Sequence, residues 1–130
     1  MADKDEVRLV VPASPEFVRL ARVTASGLAS RLGFSYDEIE DLRLAVDELC
    51  YAVIGPAGRP GALTVRFFIR EGGLEVEGTG HFDPGGPPVG LSDLSHQILT
   101  ALVDSHDVRA DLDGQPSVWL RKRGRAAEAG

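Results

Sequence analysis

One segment of the chain, from Ser35 to Gly61, leaves few choices for its local structure. Ser35 is followed three residues later by Glu38, the pairing of a capping box, in which hydroxyl and carboxylate satisfy each other's backbone N–H groups at a helix start. Ile39, Leu42, Val46, Leu49 and Val53 then recur at steps of 3, 4, 3 and 4, so one side of the predicted helix is apolar from end to end. Gly55-Pro56-Ala57-Gly58-Arg59-Pro60-Gly61 stops it, because proline lacks the N–H a helix needs and glycine loses most entropy in one. Such a stripe must be covered by other elements, and the rest of the chain has to supply them.

The flanking sequence supplies strands and two further helices. Val7–Val11 is a β-branched run stopped by Pro12, which predicts a first strand at a sheet edge. Ser14, Pro15 and Glu16 make a helix start, and Phe17, Leu20, Thr24, Leu28 and Leu32 form its predicted inner face as far as Gly33. Leu63–Arg70 and Leu74–Gly78 read as strands joined by a tight hairpin at Glu71-Gly72-Gly73, and His81–Gly90 as a loop. A helix is expected over Ser92–Ser105, then a last hairpin of Asp107–Leu112 and Ser117–Arg121 turning at Asp113-Gly114. The order β, α, α, β, β, α, β, β fits an α/β sandwich in the α+β sense: two layers, helices on one face of a mostly antiparallel sheet.

Composition narrows the class. With 130 residues, 43% of them hydrophobic, one domain over 1–123 with a disordered tail at 124–130 is expected. Fourteen Lys and Arg against twenty Asp and Glu leave a net charge of -6, which argues against nucleic acid as a direct partner. Cys50 is the single cysteine, so an intramolecular disulfide and a multi-cysteine zinc site are excluded, and its place inside the helical stripe predicts a small core side chain. The N-terminus does not have the pattern of a secretory signal and no apolar run approaches the roughly 20 residues of a membrane span, so a cytoplasmic, membrane-free protein is expected.

Chemistry can be sought on the second helix, where Glu38, Asp41, Ala45, Glu48 and Ala52 lie on one line beside the stripe. Glu48 there could act as a general base or hold a metal-bound water. The alternative is a solvated acidic face of Asp37, Glu38, Glu40, Asp41, Asp47 and Glu48, helped by Arg43. His81, His96 and His106 are far apart, and none has an acid or second histidine at ligand spacing, so no metal site is predicted. A Walker loop and a dinucleotide fingerprint are both lacking.

The stretch ARVTASGLASRLGFSYDEIEDLRLAVDELCYAVI, Ala21–Ile54, and above all LRLAVDELC, Leu42–Cys50, resembles the first two helices of partner-switching anti-sigma factors of the RsbW and SpoIIAB class. Within that class the chain is most similar to actinobacterial members, and the resemblance runs in order to VWLRKR. It implies the histidine-kinase-like ATPase fold shared with gyrase B and Hsp90. In that family a Glu of the second helix orients the attacking hydroxyl or water, and an Asn four residues later binds magnesium. The resemblance puts Glu48 at the first position and Ala52, without a ligating oxygen, at the second.

The family's next box, Asp-x-Gly-x-Gly, falls on Glu77, Thr79 and His81 in the register implied by Phe82-Asp83-Pro84, and Asp93, Leu94 and Ser95 stand where glycine amides would meet phosphates. All the nucleotide boxes are thus altered, so ATP with magnesium is expected to bind weakly or not at all. The partner-binding motif is kept: Ala21-Arg22-Val23-Thr24 aligns with the family's partner-contacting arginine, and Arg19 is near enough to share a face with Arg22. The resemblance therefore implies a homodimeric anti-sigma factor that sequesters an alternative sigma factor and is released by a STAS-type anti-anti-sigma protein. The alternative implied is an active serine kinase that phosphorylates that antagonist, with Glu48 catalytic and Glu77 holding ATP.

Overall fold

The computed structural model describes residues 5–82, 90–110 and 115–125. Its elements are β1 (Glu6–Pro12), α1 (Pro15–Arg31), α2 (Tyr36–Ile54), β2 (Gly61–Arg70), β3 (Gly73–Phe82), α3 (Asp93–Leu102), β4 (Ser105–Ala110) and β5 (Pro116–Arg123). The strands make one five-stranded sheet in the order β1-β2-β3-β5-β4, and every neighbouring pair is antiparallel. β1 lies at an edge, as its proline stop predicts.

Alternation along the strands sorts the sheet into two faces. Leu63, Val65 and Phe67 of β2, Leu74 and Val76 of β3, and Val118 and Leu120 of β5 are buried and join the core with the helices. The residues between them face away and are mostly charged or hydroxyl-bearing, because no helix covers that side. There Arg66 pairs with Glu6 (2.8 Å) and Glu77 (3.7 Å), Arg70 with Glu75 (3.5 Å), and Trp119 donates its indole N–H to Glu75 (3.1 Å). The guanidinium groups of Arg66 and Arg70 each lie 4.8 Å from the Phe68 ring centre, which explains how a phenylalanine is buried on the uncovered face.

The capping box at the start of α2 forms as the spacing predicts: the Ser35 hydroxyl accepts from the Glu38 N–H (3.2 Å) and Glu38 accepts from the Ser35 N–H (2.7 Å). Leu42, Val46, Leu49 and Val53 are buried, together with Ala45, Cys50 and Ile54. Burial pushes the Cys50 thiol up to about 12, so it is an inert core group.

The inner face of α1 differs from the expected one. Val18, Ala21, Ala25 and Ala29 are fully buried, whereas Leu20 is 46% exposed and Phe17, Leu28 and Leu32 pack only at the margin. Small side chains let the axes of α1 and α2 approach closely, so the bulky residues are displaced to the rim.

Several boundaries move as well. β3 runs on through Phe82, so His81 and Phe82 are strand rather than loop; α3 ends at Leu102, and Ser105 already opens β4. The β2–β3 turn has two residues, Glu71 (φ 49) and Gly72 (φ 73), both left-handed as the twist of a hairpin prefers. Gly124 is buried against Phe34, and the Arg125 N–H donates to Glu38 (2.7 Å), so the chain is still bound where a tail was expected from 124. The expected Asp113-Gly114 turn, Asp83-Pro84 with the rest of its loop, and the tail beyond 125 lie outside the described residues. Among the described residues, no helix is long and apolar enough to cross a membrane.

Candidate functional site

Most acids of α2 have a specific partner. Glu48 is half-buried, one turn past the buried Ala45, and accepts a 3.0 Å hydrogen bond from the Ser95 hydroxyl at the start of α3. That first turn is tied by Ser92, the N-cap, whose hydroxyl accepts from the Ser95 N–H (3.1 Å) and lies 3.1 Å from the Ser95 hydroxyl. A run of Ser92, Ser95 and Glu48 thus locks α3 onto α2. Ala52, one turn beyond Glu48, has no oxygen and packs against the core.

On the far side of α2, Asp47 accepts from Arg22 Nε of α1 (3.0 Å), and Glu40 accepts from Arg43 (2.8 Å). Arg22 is fixed across the α1–α2 seam while Arg19 is exposed. Around them the helices leave apolar surface open: Leu20, Val23 at 62% and Leu44 at 55% exposure. A fixed guanidinium beside exposed aliphatic side chains has the character of a protein-binding surface.

Glu38 closes the N-terminal end of α2. Burial alone would raise its pKa, but the backbone N–H groups of Ser35 and Arg125, then the Ser35 hydroxyl and the charge of Lys122, outweigh this and hold the carboxyl below its ordinary value.

Glu77, Thr79 and His81 do come together, but away from Glu48. As alternate residues of β3 they point to the uncovered face and line a pocket of about 220 Å³ with Arg8, Thr64 and Arg66. The residues between them, Gly78 and Gly80, face the helices: a β-carbon on Gly78 would meet Leu49 of α2, and one on Gly80 would meet the Phe82 ring. Glu77 and Glu48 thus lie on opposite sides of the sheet. Ala52 has no side-chain oxygen, Glu48 accepts from Ser95, and Glu77 lies on the other face of the sheet.

The contacts of four residues escaped sequence reasoning. Ser95 was legible as the fourth residue of a Ser92-x-x-Ser95 helix start, but its contact with Glu48 is tertiary. Asp47 was hidden among six acids of one helix. His96 and His106, ten residues apart, are brought together by α3 and β4, with His96 Nδ1 3.0 Å from His106 Nε2 and ring centres 5.2 Å apart. Burial and the neighbouring His96 push His106 below the ordinary imidazole value, with Asp107 opposing. No sequence spacing signals such a pair.

No family model matches the chain. Among curated proteins, it is 33% identical to the serine-protein kinase RsbW of Bacillus licheniformis over an alignment of 138 positions, gaps included, covering 91% of this chain and 85% of that protein. It is 44% identical over 77 residues to RsbW of Bacillus pumilus and 45% identical over 75 residues to RsbW of Bacillus subtilis. These two matches cover 55% of the chain and span about half the length of those relatives, 48% and 47%. Together with the α+β sandwich, the near full-length match shows that the chain belongs to the RsbW serine-protein kinase family.

Proposed function

We propose that this protein is a partner-switching anti-sigma factor: it sequesters an alternative sigma factor by covering surface needed for core polymerase, and an anti-anti-sigma protein of the STAS type releases it. The observation that carries this reading is the outer surface of α1 and α2, where Arg22 is anchored to Asp47 beside exposed Leu20, Val23 and Leu44. Occlusion needs buried area and specific charge pairs rather than turnover, so it tolerates altered nucleotide positions. The net charge of -6 suits attraction to the basic DNA-binding regions of a sigma factor. Cytoplasmic location and a homodimer belong to the same proposal.

ATP binding is weak or lost in this reading. Ala52, the Ser95–Glu48 hydrogen bond and the outward direction of Glu77 support that, and no step through nucleotide or magnesium follows.

Affinity purification from the source cell, followed by calorimetry with the recovered proteins, tests the proposal. A sigma factor and a STAS-type antagonist that compete for the chain are the expected result. Recovery of neither overturns it. Phosphorylation of the antagonist with ATP and magnesium that vanishes in Glu48→Ala would overturn the nucleotide half alone and restore the kinase reading.

A further inference from the structure

His96 on α3 and His106 on β4 lie outside the surfaces described so far, and the fold brings their rings together at a 45° tilt. His106 is cross-strand from the buried Leu120, so its ring stands on the helix-covered side of the sheet, beneath α3. His96 is exposed at the surface of that helix. The two nitrogens that meet, Nδ1 and Nε2, are 3.0 Å apart, and the ring centres 5.2 Å.

Those two distances can be compared with a metal site. Zinc–nitrogen bonds of about 2.0–2.1 Å at a tetrahedral angle put two ligating nitrogens about 3.3 Å apart and their ring centres about 5 Å apart. The ring centres of the pair already have that separation. A pivot of the exposed His96 ring that opens the nitrogens by a few tenths of an ångström, with the shared proton passing through solvent to a far ring nitrogen, leaves two lone pairs that can converge on one ion.

We propose that His96 and His106 form a bidentate site for a tetrahedral transition-metal dication of the zinc class, bridging α3 to β4. Each imidazole would ligate in its neutral form. Among the described residues, no cluster of three or more His, Cys, Asp and Glu side chains could hold a metal, so water completes the coordination and the ion exchanges readily. Bound zinc would brace α3 against β4, in addition to its Ser95–Glu48 contact with α2.

The test uses the untagged full chain, titrated with zinc chloride by calorimetry at neutral pH and with cobalt(II) followed by visible absorption. One zinc per chain and the intense visible bands of tetrahedral cobalt are expected. Both signals should disappear in His96→Gln and, separately, in His106→Gln, with circular dichroism of each variant unchanged. Because His96 is exposed, its variant folds even if the one at His106 does not. Zinc binding that is absent from the parent chain, or that survives unchanged in His96→Gln, overturns the proposal.

Discussion

Arg22 of α1 donates its Nε–H to Asp47 of α2 across 3.0 Å, with 32% and 27% of the two side chains open to solvent. A pair that wet contributes about 0.2–1 kcal/mol to folding. What it does is hold a guanidinium in one rotamer at the rim of the exposed Leu20 and Val23 patch.

Arg22→Glu is therefore expected to cost little stability but to weaken sigma-factor binding by about 2 kcal/mol or more, as loss of a central arginine anchor does. Asp47→Ala should destabilise the fold as slightly, yet leave most of the binding, because the arginine remains. Denaturant melts and calorimetry on the two variants separate the effects. Equal affinities for Arg22→Glu and the parent chain would return Arg22 to a merely structural role.

The Ser92, Ser95 and Glu48 run makes a second expectation. Ser92→Ala removes an N-cap oxygen and should cost about 1 kcal/mol. Ser95→Ala removes a hydroxyl that donates to a half-buried carboxylate, a charge-assisted bond worth about 1.5–3 kcal/mol when well shielded, so a cost near the low end is expected. Because the two serines are bonded to each other, the double variant should lose less than the sum. Urea melts of the four proteins check this, and strict additivity would show that the run is not coupled.

Glu38 predicts a direction for acid unfolding. Its folded pKa lies below the ordinary value of 4.5, so the unfolded state binds the proton first as pH falls. Its stabilisation is present above about pH 4.5 and is lost as pH drops from there through the lower folded value. Glu38→Gln, which keeps the shape but not the charge, should lower stability at neutral pH and flatten its decline in that window. An acid-unfolding profile identical to that of the parent chain would mean that the bonds to the Ser35 and Arg125 N–H groups carry no net energy.

Local signals were legible where they concern one element. The capping box, the α2 stripe, the edge position of β1 and the hairpin at Glu71-Gly72 were all readable because backbone period and turn chemistry act over a few residues. The face of α1 was not, since the choice between Leu20 and Ala21 depends on how near α2 comes. Glu48 was placed correctly on its helix, but its Ser95 partner, the Arg22–Asp47 pair and the His96–His106 pair join distant elements. The faces of β3 were not legible either, because a shift of one residue in register exchanges them: the structure turns Glu77, Thr79 and His81 to the uncovered side and Gly78 and Gly80 toward the helices.

That register has its own test at Gly78. A β-carbon there would come within 2.5 Å of Leu49 Cδ2 and 3.7 Å of Val53 Cγ2, so α2 lies directly on the glycine. Gly78→Ala should destabilise the protein by about 1–3 kcal/mol, the usual cost of forcing an extra methyl into a packed core. Leu49→Ala in the same chain should recover part of that loss by vacating the space, even though each change alone is destabilising. Thr79→Ala faces the other way and relieves no contact with Leu49, so it should show no such rescue. Were Thr79 rather than Gly78 the position rescued by Leu49→Ala, the strand would be turned over and Glu77 would face α2 after all.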